Sequence, residues 1–192
     1  MKTDSEFIEG LKSNEPRLYA EFVGVFASRV YNTALNILQN KEEAEEVAQD
    51  VFMKVFQTID TFDQSSTLKT WIYRITVNKS LDALRYKKRA KRWSVFVNFF
   101  NDEGEQKHTA VDFVHPGVQL EQKENASILF AAIDKLPERQ KAAFVLCQLE
   151  DMSYKEAAAT LEITVSAVDS LMSRAKKQLR EQLNLLPYGS IK

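Results

Sequence analysis

The chain has 192 residues, of which 44% are hydrophobic and 28% charged, the proportions of one ordinary folded domain or two small ones. Its 26 basic and 27 acidic residues leave a net charge of -1, so a nucleic-acid surface would have to come from clustered cations and not from their sum. The single cysteine, Cys147, excludes an internal disulfide and fits a reducing compartment, and no apolar run approaches the roughly 20 residues of a membrane span.

Met1-Lys2-Thr3-Asp4 has no apolar core behind it, so no secretory signal is expected and the cytoplasm is the expected location. Five glycines and four prolines leave little for a turn-rich β fold. The expectation is an all-α chain.

Thr3 with Glu6 reads as a capping box for a short first helix through Phe7, Ile8 and Leu11. Pro16 restarts the chain, and a long helix follows with Leu18, Phe22, Val25, Phe26, Val30, Ala34, Ile37 and Leu38 inside. Asn40 with Glu43 caps the next helix. Its apolar positions are Ala44, Val47, Ala48, Val51, Phe52, Val55, Phe56 and Ile59, alternating by three and four. Its outer face is acidic, with Glu42, Glu43, Glu45, Glu46 and Asp50 beside Gln49 and Lys54.

Residues 60–67 are polar and read as a loop. Helix resumes near Leu68, with Trp71, Ile72, Ile75, Leu81 and Leu84 inside. From there to Arg92 the cations are Lys69, Arg74, Lys79, Arg85, Lys87, Lys88, Arg89, Lys91 and Arg92, and Asp82 is the one acid. An acidic helix followed by a basic one explains how a near-zero net charge hides a nucleic-acid surface. The cations are interleaved with Trp71, Tyr73, Tyr86 and Trp93. Rings beside cations suit unpaired bases, since stacking contributes about 1–3 kcal/mol per base. Trp71 is equally compatible with a core position.

Residues 95–117 break the helical period and contain the only two histidines, His108 and His115. They read as a flexible interdomain linker, with Val95, Phe96, Val97, Phe99 and Phe100 as an unusual apolar cluster. From Val118 a helix through Leu120, Ile128, Leu129, Ala132 and Ile133 leads to Leu136.

Beyond Leu136 the punctuation is that of a helix-turn-helix. Pro137 suits a first helical turn, and Ser153 with Glu156 forms a capping box. Glu162 and Ile163 make the turn, and Thr164 caps the last helix. Val165, Val168, Leu171, Met172, Ala175 and Leu179 form its inner stripe. Ser166, Ala167, Asp169, Ser170, Ser173, Arg174 and Lys177 point outward. Two ordinary packed helices with a basic end would show the same periodicity.

No catalytic motif is present: no metal-spaced Cys/His cluster, no phosphate loop and no dinucleotide fingerprint. Carboxylates at 42–50 lack the Glu-x-x-His partners of a helical-bundle metal site. No enzyme activity, metal or cofactor is expected.

Four ordered stretches carry a family resemblance: AEEVAQDVFMKVF at 44–56, SSTLKTWIYRI at 65–75, Asn78 with Asp82 and the basic run, and LPERQ at 136–140 leading to the helix-turn-helix at 153–179. In this order the chain resembles a sigma-70-type RNA polymerase sigma factor of the extracytoplasmic-function group. The resemblance implies two helical domains: residues 1–94 as region 2, 95–117 as linker and 118–192 as region 4. It implies that Glu45, Glu46, Gln49, Asp50 and Phe52 dock on the clamp helices of the polymerase large subunit. It implies −10 recognition and strand melting by Ser65, Ser66, Thr67, Lys69, Trp71, Arg74, Asn78, Lys79, Arg85, Lys88 and Arg89. It implies −35 recognition by Thr164, Ser166, Ala167, Asp169, Ser170, Ser173, Arg174 and Lys177. Core polymerase, promoter DNA and an anti-sigma factor are the implied partners.

Three positions depart from the family pattern. Asp169 stands where Lys is usual, Leu171 where Arg is usual, and Glu162 where the turn often has Gly. A stand-alone helix-turn-helix regulator with a helical sensor domain, and a helical protein-interaction module, are the competing expectations. The first needs no acidic docking helix.

Overall fold

The computed structural model describes residues 3–101 and 123–184, and among them the secondary structure is helical with no strand. Helix α1 (Asp4–Lys12) begins with the expected capping box. The Thr3 backbone N–H donates to Glu6 Oε2 at 2.7 Å, and the Glu6 N–H donates to Thr3 Oγ1 at 3.3 Å. Helix α2 (Pro16–Leu38) starts on its proline and stops at Gln39, which is left-handed at φ 53°. Gly10 lets α1 lie close on α2, since a Cβ there would stand 2.1 Å from Leu18 Cδ1. Asn40 caps α3 (Lys41–Thr58) by accepting the Glu43 N–H at 2.9 Å. A 3-10 turn (Ile59–Thr61) leads through the loop to α4 (Leu68–Asn101).

The three long helices α2, α3 and α4 pack on one another. Phe22, fully buried, makes ring contacts with Phe7, Phe26 and Phe52 at 5.8, 4.9 and 6.0 Å. Val47, Val51 and Val55 of α3 and Ile72, Val77 and Leu81 of α4 close the core. The backbone of α4 continues as helix through Asn101. The helix thus enters the stretch expected as linker: an apolar run without strict period still propagates a helix already nucleated upstream. The rest of the expected linker, both histidines and the 118–122 start of the following helix lie outside the described residues.

The second unit comprises α5 (Lys123–Asp134), α6 (Glu138–Phe144), a π turn (Val145–Leu149), α7 (Tyr154–Leu161) and α8 (Val165–Asn184). Ser153 and Glu156 form the second capping box, the Ser153 N–H donating to Glu156 Oε2 at 2.9 Å. Thr164 Oγ1 accepts the Ala167 N–H at 3.1 Å at the start of α8. Ile133, Leu146, Val168, Met172 and Ala175 form a dry core. The Cys147 thiol is buried there, and burial pushes its pKa up, which fits an inert structural thiol. The apolar run after Pro137 is not one uniform helix: the Glu150 N–H reaches back five residues to the Val145 carbonyl at 3.0 Å.

Three expected inner residues are exposed: Val25 at 41%, Phe56 at 46% and Val165 at 48%. Helical periodicity places them on the edge of an apolar stripe, where the described helices cover them only in part.

The two units pack against each other. Helix α7 lies on α4, and the π turn lies on α2. Gln39 Nε2 donates to the Phe130 carbonyl at 2.8 Å, and the Tyr73 hydroxyl donates to Glu150 Oε2 at 3.0 Å.

Candidate nucleic-acid and partner interfaces

Helix α3 presents one acidic and one apolar patch on the same side. Glu45, Glu46, Gln49 and Asp50 are exposed, as their positions opposite Val47 and Val51 require. Phe52 is not: it is 8% exposed and packs edge-on against Phe22. The expectation that Phe52 faces a partner is corrected, because it sits one residue past Val51 on the buried arc. Met53 and Phe56 are outside instead, Met53 at 57% exposed. They continue the Gln49–Asp50 face at helical spacing, and Phe56 rests edge-on against Tyr19 at 5.6 Å. Sequence periodicity put Phe56 inside and passed over Met53. The departure of Met53 from the apolar register was the available signal.

Helix α4 presents the cations. Its start is fixed twice: Thr67 Oγ1 accepts the Thr70 N–H at 3.1 Å, and Asp4 Oδ2 accepts the Leu68 N–H at 3.1 Å. In the preceding loop Asp63 Oδ1 accepts the Ser65 N–H at 3.0 Å, which holds the Asp63 carboxyl below its usual pKa. Ser65 and Thr67 are exposed and Ser66 is half-buried. Trp71 is half-buried against Phe62, ring centroids 4.9 Å apart, so its ring is partly a core element. Tyr73 is buried and belongs to the seam between the units, so it is no stacking platform in this arrangement. Burial and the neighbouring Glu150 carboxylate push its phenol pKa far up.

Asn78, Arg85, Lys88 and Arg89 are exposed, and Lys69, Arg74 and Lys79 are half-buried. Several cations carry partners within the first unit: Lys79 with Asp50 at 3.0 Å and Lys87 with Glu43 at 2.6 Å. Such partly exposed pairs contribute about 0–1 kcal/mol each, so they leave the ammonium groups available to phosphate. Others reach the second unit. Arg74 Nη1 pairs with Glu162 Oε1 at 3.0 Å, and Arg74 Nη2 donates to the Ala159 carbonyl at 2.9 Å. Glu138 holds Arg85 at 3.1 Å and Lys88 at 3.0 Å.

Helix α8 buries Val168, Met172, Ala175 and Leu179 and leaves Thr164, Ser166, Asp169, Ser173, Arg174 and Lys177 exposed, with Ala167 and Ser170 half-buried. A helix with a short-side-chain N-terminal face and cations near its C-terminal half is shaped for a major groove about 12 Å wide. Among the described residues no group of three His, Cys, Asp or Glu side chains could hold a metal, and no helix is long and apolar enough to cross a membrane.

Residues 22–90 match the Sigma-70 region 2 family and residues 127–179 match Sigma-70, region 4. The chain belongs to the sigma-70 family, in its extracytoplasmic-function group. It is 28% identical over 178 residues to "ECF RNA polymerase sigma factor SigW" of Bacillus subtilis, covering 92% of this chain and 94% of that protein. It is 32% identical over 163 residues to "ECF RNA polymerase sigma factor SigE" of Mycolicibacterium smegmatis, covering 85% of this chain but 60% of that longer protein. In fold the sigma factor is similar to RpoE of Bartonella quintana, solved with the anti-sigma factor NepR: TM-score 0.64, 22% identity, 87% of this chain and 97% of that one. The region 2 match therefore covers most of α2, all of α3 and most of α4, and the region 4 match runs from within α5 to near the end of α8.

Proposed function

We propose that this sigma factor binds core RNA polymerase through the exposed face of α3 and directs promoter-specific initiation, α4 taking the melted −10 strand and α8 the −35 duplex. The units are α1–α4 and α5–α8, joined through residues outside the described range. The supporting observation is the order of surfaces on one chain: an acidic and apolar face on α3, a cationic helix α4, and a groove-sized helix α8. Glu45, Glu46, Gln49 and Asp50 supply charge complementarity for the polymerase clamp helices, which favours fast and oriented docking. Met53 and Phe56 supply the apolar anchor that such an interface needs at its centre.

Melting needs cations along a released strand and a loop able to take an unstacked base. Ser65, Ser66, Thr67, Lys69, Asn78, Lys79, Arg85, Lys88 and Arg89 line that course, with Arg74 and Trp71 at its half-buried edge. On α8, Thr164, Ser166, Ala167, Ser170 and Ser173 let the backbone approach the groove, while Arg174 and Lys177 reach phosphate. Asp169 faces the same way and suits a cytosine amino group. The sigma factor supplies recognition and strand separation, and polymerase supplies the chemistry. Its workplace is the cytoplasm, and an anti-sigma factor is the natural competitor for the same surfaces.

The test is Asp50→Arg. Asp50 is 56% exposed and pairs with Lys79 on the surface, so the fold tolerates the change. Loss of association with core polymerase and of run-off transcription, with an unchanged circular-dichroism melt, is expected. Retained association would overturn the docking assignment.

A further inference from the structure

Two residues in the first turns of α8 have no role in holding the helix together. Val165 was expected inside and is 48% exposed, and Asp169 is an exposed carboxylate on a helix meant for DNA. The residues three and four away from Asp169 along α8 are Val165, Ser166, Met172 and Ser173, so no cation of its own helix turn neutralises it. Arg174 and Lys177 lie about 7.5 and 12 Å further along the axis at 1.5 Å per residue. The Ser170 hydroxyl, which shares the face, is turned back onto the Ser166 carbonyl at 3.0 Å. The side chains around Asp169 are short, so a side chain as short as aspartate can reach a base edge.

The chemistry of the two groups narrows what they can face. A carboxylate only accepts hydrogen bonds. In the major groove guanine and thymine present acceptors to it, and the donors are the amino groups of cytosine and adenine. Adenine carries its N7 acceptor beside that donor, which repels the second carboxylate oxygen. Cytosine has no acceptor there. Everywhere else on a duplex the Asp169 charge is repelled by phosphate, so the residue lowers affinity for wrong sequences more than for the right one. Val165 neither donates nor accepts, and the one apolar group in the groove that fits it is the thymine methyl. Val165 and Asp169 are one turn apart, about 6 Å along the axis, which is less than two base-pair steps of about 3.4 Å.

We propose that α8 reads a cytosine through Asp169 and, on a neighbouring base pair, a thymine methyl through Val165. This rests on the assignment of α8 to the −35 duplex and adds to it the identity of two bases.

The experiment selects binders of the full chain from a duplex pool randomised over roughly ten base pairs, about one turn of the helix. The selected site is expected to hold one position where C·G is preferred roughly tenfold over the other pairs. The Asp169→Asn chain should move that position alone to A·T, because an amide both accepts from adenine N6 and donates to N7. Replacing the neighbouring thymine by deoxyuridine removes only its methyl group. That change should weaken the unmodified chain about fourfold, the scale of one buried methylene, and leave the Val165→Ala chain unaffected. Both side chains are in solvent, so unchanged circular-dichroism melts are expected for both variants. A site with no cytosine position, or one that Asp169→Asn leaves unchanged, overturns the Asp169 reading. Equal sensitivity of both chains to deoxyuridine overturns the Val165 reading. Run-off transcription by the unmodified chain with core polymerase is scored separately: failure there sinks the assignment of function, while the selection still decides which bases α8 reads.

Discussion

Glu162 occupies a backbone conformation that costs a non-glycine residue about 1–2 kcal/mol, and its pair with Arg74 returns about 0–1 kcal/mol. These nearly cancel, so Glu162→Gly should leave the thermal midpoint unchanged within a few degrees in calorimetry even as it frees Arg74. Phe52 and Met53 make a sharper contrast. Phe52→Ala removes a ring from the Phe22 cluster and should cost about 3–5 kcal/mol in urea unfolding. Met53→Ala should cost less than about 0.5 kcal/mol, because it is mostly in solvent, and should instead weaken pull-down of core polymerase. Glu138 carries the seam's titration. Burial pushes its carboxyl up, but Lys88 and then Arg85 outweigh that and hold it below its ordinary 4.5. A depressed folded pKa means the stabilisation is complete above the ordinary value and fails as pH falls through the lower one. The groups facing it are Arg85 and Lys88. The radius of gyration should therefore be flat from neutral pH down to about 5 and rise only below that, a step that Glu138→Gln should lack.

Helix starts were legible because caps are local. Thr3, Asn40, Ser153 and Thr164 each bond a backbone N–H three residues on, so a short window of sequence contains the whole device. Helix interiors were legible where two neighbours cover a stripe, as at Val47, Val51 and Val55. They failed at Val25, Phe56 and Val165, since period alone does not say where coverage stops. The π turn at Val145–Leu149 was hidden for a related reason: its apolar residues are the same ones an unbroken helix would carry. On α8 five of the seven residues expected outward are exposed, Ala167 and Ser170 being half-buried, and the odd member of the set gives a test. Asp169 is exposed on the face proposed to enter the groove. Asp169→Lys should strengthen binding of an arbitrary duplex in filter-binding assays. It should also steepen the salt dependence by about one unit in log K against log salt.

The seam between the two units was not legible, because it joins residues far apart in the chain. Tyr73 meets Glu150 across 77 positions and Arg74 meets Ala159 across 85. In sequence Tyr73 and Arg74 read as part of a basic, aromatic strip, and only the fold turns them inward, Tyr73 beside Phe26 and Val30 of α2 and toward Glu150, Arg74 toward Ala159 of α7. That packing has a consequence for how promoters are read. With the units closed, the α8 face remains available to duplex while part of α4 is occupied. The free sigma factor should then engage a −35 element without regard to where the −10 element lies. If polymerase holds the units apart on the promoter, both elements must fall at fixed distance and on compatible faces of the helix. Inserting five base pairs into the spacer turns one element by about half of a 10.5-base-pair turn. Footprinting of the free protein on the −35 element should be unaffected by the insertion, whereas run-off transcription with core polymerase should fall to background. Equal sensitivity in both assays would mean that the free protein already presents its two reading surfaces in the geometry used on the promoter.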